Sequence, residues 1–167
     1  MSLNISKLPL NAKDMLETQG YFKDTLALSE SIYSATMSKN YNELDRLFQL
    51  ETAPGGYLFN YLLQFTNFDE MEFIISLRES KNEWEEDGIW HDDGSRVLAF
   101  SLSLTKDINS ISGGDLHIRK RGSVKSSVIK PFSFGEIIVF LTGTSGFEHK
   151  IHKVEKGERL IIAGWCS

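Results

Sequence analysis

The sequence has little cysteine, no long apolar run and no excess of positive charge. One cysteine, Cys166, in 167 residues excludes an internal disulfide and a zinc site built from several thiolates. The longest run of aliphatic and aromatic residues, 137–141, is far shorter than the roughly 18 residues of a membrane-spanning helix. The start, MSLNISKLPL, lacks the basic segment followed by an apolar segment that typifies a signal peptide. We therefore expect a soluble, cytoplasmic protein without a membrane partner.

The charge balance is slightly acidic. The 18 lysines and arginines against 23 aspartates and glutamates give a formal net charge of −5. Nucleic-acid binding requires a basic surface that neutralises phosphates, so we expect no nucleic-acid partner. A hydrophobic fraction of 41% is typical of a soluble globular chain. The length predicts one domain over residues 1–167.

Helical spacing of apolar residues dominates positions 1–70. The i, i+3, i+4 spacing of Leu44, Leu47 and Phe48 predicts a helix over 42–50 with Asn42 as its N-cap. A longer helix that ends near Lys39 is predicted before it, and a short helix after it. The apolar face of the first of these two helices carries Phe22, Leu26, Tyr33 and Met37. That of the second carries Leu58, Tyr61, Leu62 and Phe65.

The character of the chain changes after position 68. Segments become short and β-branched or aromatic, and clusters of glycine, serine and aspartate separate them. Eight such strands predict a β-sandwich or barrel with helices packed on its outside. The last two strands are expected to be hairpin-like, with a turn at 156–157. The predicted strands are 71–79, 87–93, 96–104, 115–119, 126–130, 136–141, 148–154 and 159–165.

A histidine and an aspartate two positions apart, His91 and Asp93, are candidates for a metal site. Residues i and i+2 of a strand point to the same face, so both ligand groups would project side by side. A surface hydrogen bond between them is the alternative. Either His149 or His152 could add a second imidazole. Two histidines and one carboxylate match the facial triad of non-haem Fe(II) oxygenases.

Arg159 is a candidate for anion binding. On the predicted last strand it shares a face with apolar residues and Trp165. A buried arginine is costly unless an anion meets it, and a guanidinium binds a carboxylate through two parallel hydrogen bonds. The alternative is that Arg159 points outward beside Glu158.

The chain from Trp90 to the end resembles the 2-oxoglutarate- and Fe(II)-dependent oxygenases, especially the prolyl-hydroxylase-like branch. The resemblance covers about 75 residues. It implies an α+β, mainly β fold, a double-stranded β-helix (a jelly-roll, cupin-like barrel) buttressed by helices. Residues 1–70 would be the helical support and 71–167 the jelly-roll core. The motifs that carry it are His91-Asp92-Asp93, Gly113-Gly114-Asp115-Leu116, Pro131-Phe132-Ser133-Phe134-Gly135, His149-Lys150-Ile151, Arg159 and Trp165.

The resemblance also implies a set of site residues. His91, Asp93 and His149 would hold Fe(II), and Arg159 would anchor the distal carboxylate of 2-oxoglutarate. Ser103 stands where the family commonly has a tyrosine on the strand after HxD, so it is a second candidate for binding this co-substrate.

His149 is preferred to His152 as the metal ligand for two reasons. Arg159 follows His149 by 10 positions and Trp165 follows it by 16, which is the register of the family. The two histidines are also an odd number of residues apart, so on a regular strand only one can face the metal. The sequence departs from the family pattern at Ile161, where a serine is usual, and at Ala99, where a threonine is usual.

The expected function is hydroxylation of an unidentified substrate, with consumption of O2 and release of succinate and CO2. The substrate would be a prolyl residue of a peptide or protein, or a small molecule, and ascorbate is a further cofactor compatible with this chemistry. A jelly-roll that binds metal without turnover is the first alternative, motivated by Ile161, Ala99 and Ser103. A zinc hydrolase is the second, although no HExxH motif is present. A metal-free sugar-binding jelly-roll is the third. The sequence does not predict an oligomeric state.

Overall fold

The computed structural model describes residues 7–167, which contain four α-helices and ten β-strands. The helices are α1 Ala12–Gln19, α2 Glu30–Met37, α3 Tyr41–Thr52 and α4 Tyr57–Leu63. The strands are β1 Tyr21–Thr25, β2 Met71–Glu79, β3 Leu98–Ser103, β4 Ser112–Gly113, β5 Leu116–Lys120, β6 Ser127–Ile129, β7 Glu136–Leu141, β8 Phe147–Ile151, β9 Val154–Lys156 and β10 Glu158–Cys166. None of the helices in the described range is long and apolar enough to cross a membrane.

The strands form three antiparallel sheets. A five-stranded sheet has the order β1-β7-β3-β10-β2, a three-stranded sheet has the order β6-β5-β8, and β4 pairs with β9. This confirms the mainly β fold with N-terminal helices. The described strands pair as separate sheets and do not close into one ring.

The five-stranded sheet is covered on both faces, which its central strand β3 shows most clearly. All six residues of β3 are buried. Leu98, Phe100 and Leu102 belong to the core that the helices cover, whereas Ala99 belongs to a second core shared with β5 and β7. Successive side chains of a strand point to opposite faces, so one strand serves both cores. The second core fixes the side of the sheet on which the site lies.

The helix predicted over 42–50 is confirmed, but it begins earlier. Its N-cap is Asn40, whose side-chain oxygen accepts a hydrogen bond from the Glu43 N–H at 3.1 Å. Asn42, the expected N-cap, lies inside α3. Both asparagines are suitable caps, and the spacing of the apolar residues does not distinguish them.

The single long helix predicted before Lys39 is wrong. Gly20 ends α1 with a φ of 87°, a left-handed conformation that favours glycine. The chain then forms β1, which pairs with β7 at the edge of the large sheet. Helix α2 begins only after Ser29, whose side chain accepts a hydrogen bond from the Ile32 N–H. Residues 12–63 therefore contribute one strand to the large sheet in addition to four helices.

Two predicted strands also need correction. Residues 87–93 form no strand, because only His91 pairs, through an isolated bridge to His149. Aspartate and glycine around His91 are poor strand formers. The predicted strand 148–154 divides into β8 and β9, which belong to different sheets. A turn at Gly157 is present, but β9 pairs with β4 and β10 pairs with β2 and β3, so the two do not form a hairpin.

Packing of α3 on the large sheet predicts unequal effects of the same substitution at two positions of this helix. Leu44 is fully buried in the helical core, whereas Leu50 is 61% exposed. We expect Leu44→Ala to lower the free energy of unfolding by about 2–5 kcal/mol. Leu50→Ala should change it by less than about 0.5 kcal/mol. Urea denaturation measures both, and equal losses would contradict this packing.

Candidate functional site

A cavity of about 120 Å³ lies between the five-stranded and the three-stranded sheet. The inward faces of β2, β3 and β10 form one wall, and β5, β8 and the segment around residues 84–91 form the other. Most of the lining is apolar. The polar and charged side chains that line it inside the sheets are Ser76, Arg78, Ser101, His149 and Arg159, and Glu86 and His91 join them from the loop.

Three potential metal ligands meet at one end of this cavity. His91, Asp93 and His149 each offer one ligand atom, and these atoms all lie within 4.8 Å of one another. Nε2 of His149 is 3.8 Å from Oδ2 of Asp93, and the ring centroids of His91 and His149 are 4.4 Å apart. Two imidazoles and one carboxylate suit Fe(II) and leave further coordination positions open.

Backbone pairing brings these residues together, although they do not share a strand. The N–H of His91 donates to the carbonyl of His149 at 3.0 Å, and the N–H of His149 donates to the carbonyl of His91 at 2.9 Å. The Asp93 N–H donates to Oγ1 of Thr142 at 3.1 Å. Nδ1 of His91 lies 3.0 Å from the Ile89 carbonyl, which leaves its Nε2 available to a metal.

The electrostatics of the cluster suit a cation. Burial lowers the pKa of His149 to about 4 against the opposing effect of Asp93, so its imidazole is neutral, which is the form that binds metal. Within residues 7–167, the buried Oδ2 of Asp93 has no hydrogen-bond partner. A buried carboxylate oxygen without a donor is costly. A bound metal ion would satisfy it, so these residues fit Fe(II).

His152 lies outside the cluster. Its side chain is exposed and stacks on His117, with the ring centroids 4.2 Å apart and an interplanar angle of 14°. His149 is 5% exposed and faces the cavity. The structure thus brings together the three residues that the sequence favoured as ligands and leaves out the alternative histidine.

Arg159 points into the cavity and is 3% exposed. The alternative that it lies outward beside Glu158 is wrong. Burial, and then the nearby charge of Arg78, lowers the pKa of Arg159 to about 10. Its buried Nη1 has no hydrogen-bond partner in the described part of the chain. A Cβ added at Gly114 would lie 3.1 Å from Cδ of Arg159, so this glycine leaves room for the arginine.

The serine expected to help bind a co-substrate is not in the cavity. The hydroxyl of Ser103 donates to the carbonyl of Phe132 and accepts from the N–H of Thr105. Ser101 shares its face of β3 and does line the cavity, and its buried hydroxyl has no partner among residues 7–167. Sequence reasoning missed Ser101, although the two-residue alternation of β3 would have found it.

Sequence reasoning also missed Arg78 on β2. This side chain is 7% exposed, lines the cavity and forms an ion pair with Asp87. The ring of Trp84 lies 4.5 Å from its guanidinium. Arg78 lies in the cavity wall because β2 pairs with β10. The sequence prediction did not include this pairing.

Two arginines on or beside β5 hold the residues next to the potential ligands. The Arg119 guanidinium lies 3.8 Å from the ring of Trp90 and 2.6 Å from Glu148. Arg121 forms an ion pair with Asp92 at 2.6 Å. Trp90 and Asp92 flank His91, and Glu148 precedes His149. Contacts of these two arginines therefore hold in place the backbone on either side of His91 and before His149.

Comparison with known sequences identifies related proteins. The model of the 2OG-Fe(II) oxygenase superfamily matches residues 71–167. A PKHD-type hydroxylase of Prochlorococcus marinus strain MIT 9515 is 30% identical over 172 aligned positions, covering 98% of this chain and 72% of the relative. A PKHD-type hydroxylase of strain MIT 9312 is 32% identical over 93 residues, covering 56% of this chain. That match spans only 39% of the relative.

Comparison with solved structures supports the fold. A prolyl-4-hydroxylase from Pseudomonas putida superimposes with a TM-score of 0.62 and 17% sequence identity. The superposition covers 99% of this chain and 98% of the other. At this identity, the likeness concerns the arrangement of the strands and helices.

The uncompensated charge of Arg159 leads to a prediction for the ligand-free protein. Replacing it by methionine keeps much of the volume and removes a buried cation that lacks a carboxylate. We expect Arg159→Met to raise the free energy of unfolding by about 1–3 kcal/mol, as measured by urea denaturation. Arg46→Met removes an exposed arginine of α3 and should have little effect. A loss of stability in Arg159→Met would show that its charge is compensated within the fold.

Proposed function

Because the chain belongs to the 2OG-Fe(II) oxygenase superfamily, we propose that it is an Fe(II)- and 2-oxoglutarate-dependent dioxygenase that hydroxylates an organic substrate. The reaction would consume O2 and release succinate and CO2. One observation carries the proposal: both histidines of a His-Asp-His cluster line the same cavity as a buried arginine. The cluster offers a metal site, and the arginine offers a site for a carboxylate.

The two parts of the site are separated along the strands. The ring of His149 lies 5.0 Å from that of Phe140, which pairs with Ala99, and Ala99 pairs with Trp165. Arg159 is six residues before Trp165 on the same strand. A co-substrate with a metal-binding group at one end and a carboxylate at the other suits this arrangement. 2-Oxoglutarate has both groups.

His91, Asp93 and His149 would hold Fe(II) through two neutral imidazoles and one carboxylate. When bound there, Fe(II) supplies the activation of O2 that couples decarboxylation of 2-oxoglutarate to hydroxylation of the substrate. With three protein ligands, the metal would keep coordination positions for the 2-oxo acid group and O2. The apolar walls of the cavity exclude water from them.

Arg159 would bind the 5-carboxylate of 2-oxoglutarate by charge-assisted hydrogen bonds. Its partnerless Nη1 supports this role. The hydroxyls of Ser76 and Ser101 line the wall of the same cavity and would supply further donors. Ser103 is not part of this proposal, because backbone groups already occupy its hydroxyl.

The relatives suggest the kind of substrate. They are named PKHD-type hydroxylases, and the Pseudomonas putida structure is named a prolyl-4-hydroxylase. We propose a prolyl residue of a peptide or protein as substrate, with a small molecule as the alternative. Trp84 and Trp165 in the cavity lining would provide apolar contacts to it. A cytoplasmic location, ascorbate as supporting reductant and a single domain over 1–167 belong to the same proposal.

Turnover without a bound prime substrate tests the proposal. We expect Fe(II) and 2-oxoglutarate together to yield succinate in an uncoupled reaction, and Mn(II) to raise the melting temperature of the protein by binding the folded state. His149→Ala should lower succinate formation by more than about 100-fold and abolish the Mn(II) effect, because it removes a ligand. Succinate is measured by mass spectrometry and melting by calorimetry.

His152→Ala is the matched control, since it removes an exposed histidine of the same segment. Its activity should stay within about twofold of the unchanged protein, as expected for a surface residue. Stabilisation by Mn(II) without any succinate would favour the metal-binding module without turnover. Full activity in His149→Ala would contradict the proposed metal site.

A further inference from the structure

Two buried arginines lie directly opposite each other in the cavity wall. Arg159 of β10 pairs in register with Arg78 of β2. Both line the same cavity, and their exposed fractions are 3% and 7%. Like charges directly opposite on neighbouring strands are unfavourable, and burial strengthens the repulsion. This pair therefore needs negative charge nearby.

The fold supplies only part of that charge. Asp87 forms an ion pair with Arg78 and is 13% exposed. Asp115, whose charge also acts on Arg159, is held 2.6 Å from Lys130. In the described part of the chain, Nε of Arg78 and Nη1 of Arg159 are both buried without a hydrogen-bond partner. Glu86 also lines the cavity, but its side chain is exposed to solvent. Inside the cavity wall, two guanidiniums and Asp87 therefore leave one positive charge uncompensated.

We propose that Arg78 is a second binding residue for the distal carboxylate of the 2-oxo acid co-substrate, beside Arg159. This rests on the proposed function and extends it to a residue outside the family pattern. One carboxylate neutralises the remaining positive charge and accepts hydrogen bonds from both guanidiniums. Arg78 also compensates for Ile161, which stands where the resemblance predicts a hydroxyl. Asp87 and the ring of Trp84 hold the Arg78 side chain in place.

The test compares two ligands that differ only at the distal end. 2-Oxopentanoate has the same 2-oxo acid group as 2-oxoglutarate but a methyl group in place of the distal carboxylate. Both are titrated calorimetrically into the protein loaded with Mn(II), without O2. We expect Arg78→Gln to weaken 2-oxoglutarate binding by about tenfold or more. Binding of 2-oxopentanoate should change by less than about twofold.

Three further variants complete the design. Arg159→Gln should show the same selective loss, and Arg46→Gln, on the exposed face of α3, controls for net charge and should show none. Arg78→Gln leaves Asp87 buried without its partner, which could unfold the protein. The double variant Arg78→Gln with Asp87→Asn removes both charges and should show the selective loss in a folded protein.

The outcomes separate this inference from the proposed function. If Arg159→Gln alone discriminates between the two ligands, Arg78 is only the structural partner of Asp87 and the inference is overturned. If Arg78→Gln and the double variant weaken both ligands equally, the inference is overturned as well. If the unchanged protein loaded with Mn(II) binds neither 2-oxo acid, the proposed function fails, and the role of Arg78 fails with it.

Discussion

The site depends on two backbone hydrogen bonds that link a loop to a strand. The reciprocal pairing of His91 with His149 is an isolated bridge, since neither neighbour of His91 continues it. One further backbone hydrogen bond, from the Gly88 N–H to the Ile151 carbonyl at 2.8 Å, joins the same loop to β8. Side chains outside the site reinforce this contact, because Arg119 contacts the residue preceding each histidine. Trp90 and Glu148, the residues that precede the two histidines, therefore support the His-Asp-His cluster through Arg119.

Much of the fold and site could be predicted from the sequence, because the relevant signals are local. Alternation within β3 and β10 is a property of single strands, and the ten positions from His149 to Arg159 are read directly along the sequence. Of the two site residues that were missed, Ser101 follows from the alternation of β3, whereas Arg78 depends on pairing between strands. Arg78 lies in the site because β2 pairs with β10 in one register, and no pattern within 71–79 specifies that register. Ser103 was misjudged because its hydrogen-bond partner, the Phe132 carbonyl, lies far away in the sequence.

The cluster itself shows that a correct residue choice can follow from an incorrect geometry. His91 and Asp93 were expected on one face of a strand, but the segment is a loop containing Asp92 and Gly94. Their proximity arises from separate anchors, the bridge to His149 and the hydrogen bond from Asp93 to Thr142. The two-residue spacing of the HxD motif therefore predicts that the two ligands lie close together, but it does not predict the secondary structure that brings them together.

The first strand has a consequence for where the chain can be divided. β1 comes from the N-terminal part yet covers the edge of β7, whose inner residues are Ile137, Ile138 and Val139. The superfamily match begins only at residue 71. A polypeptide shortened to that region would present an apolar strand with unpaired amide and carbonyl groups, which is a template for intermolecular pairing and aggregation. β1 ends the sheet instead with five residues that include Lys23 and Asp24, whose charges discourage such growth.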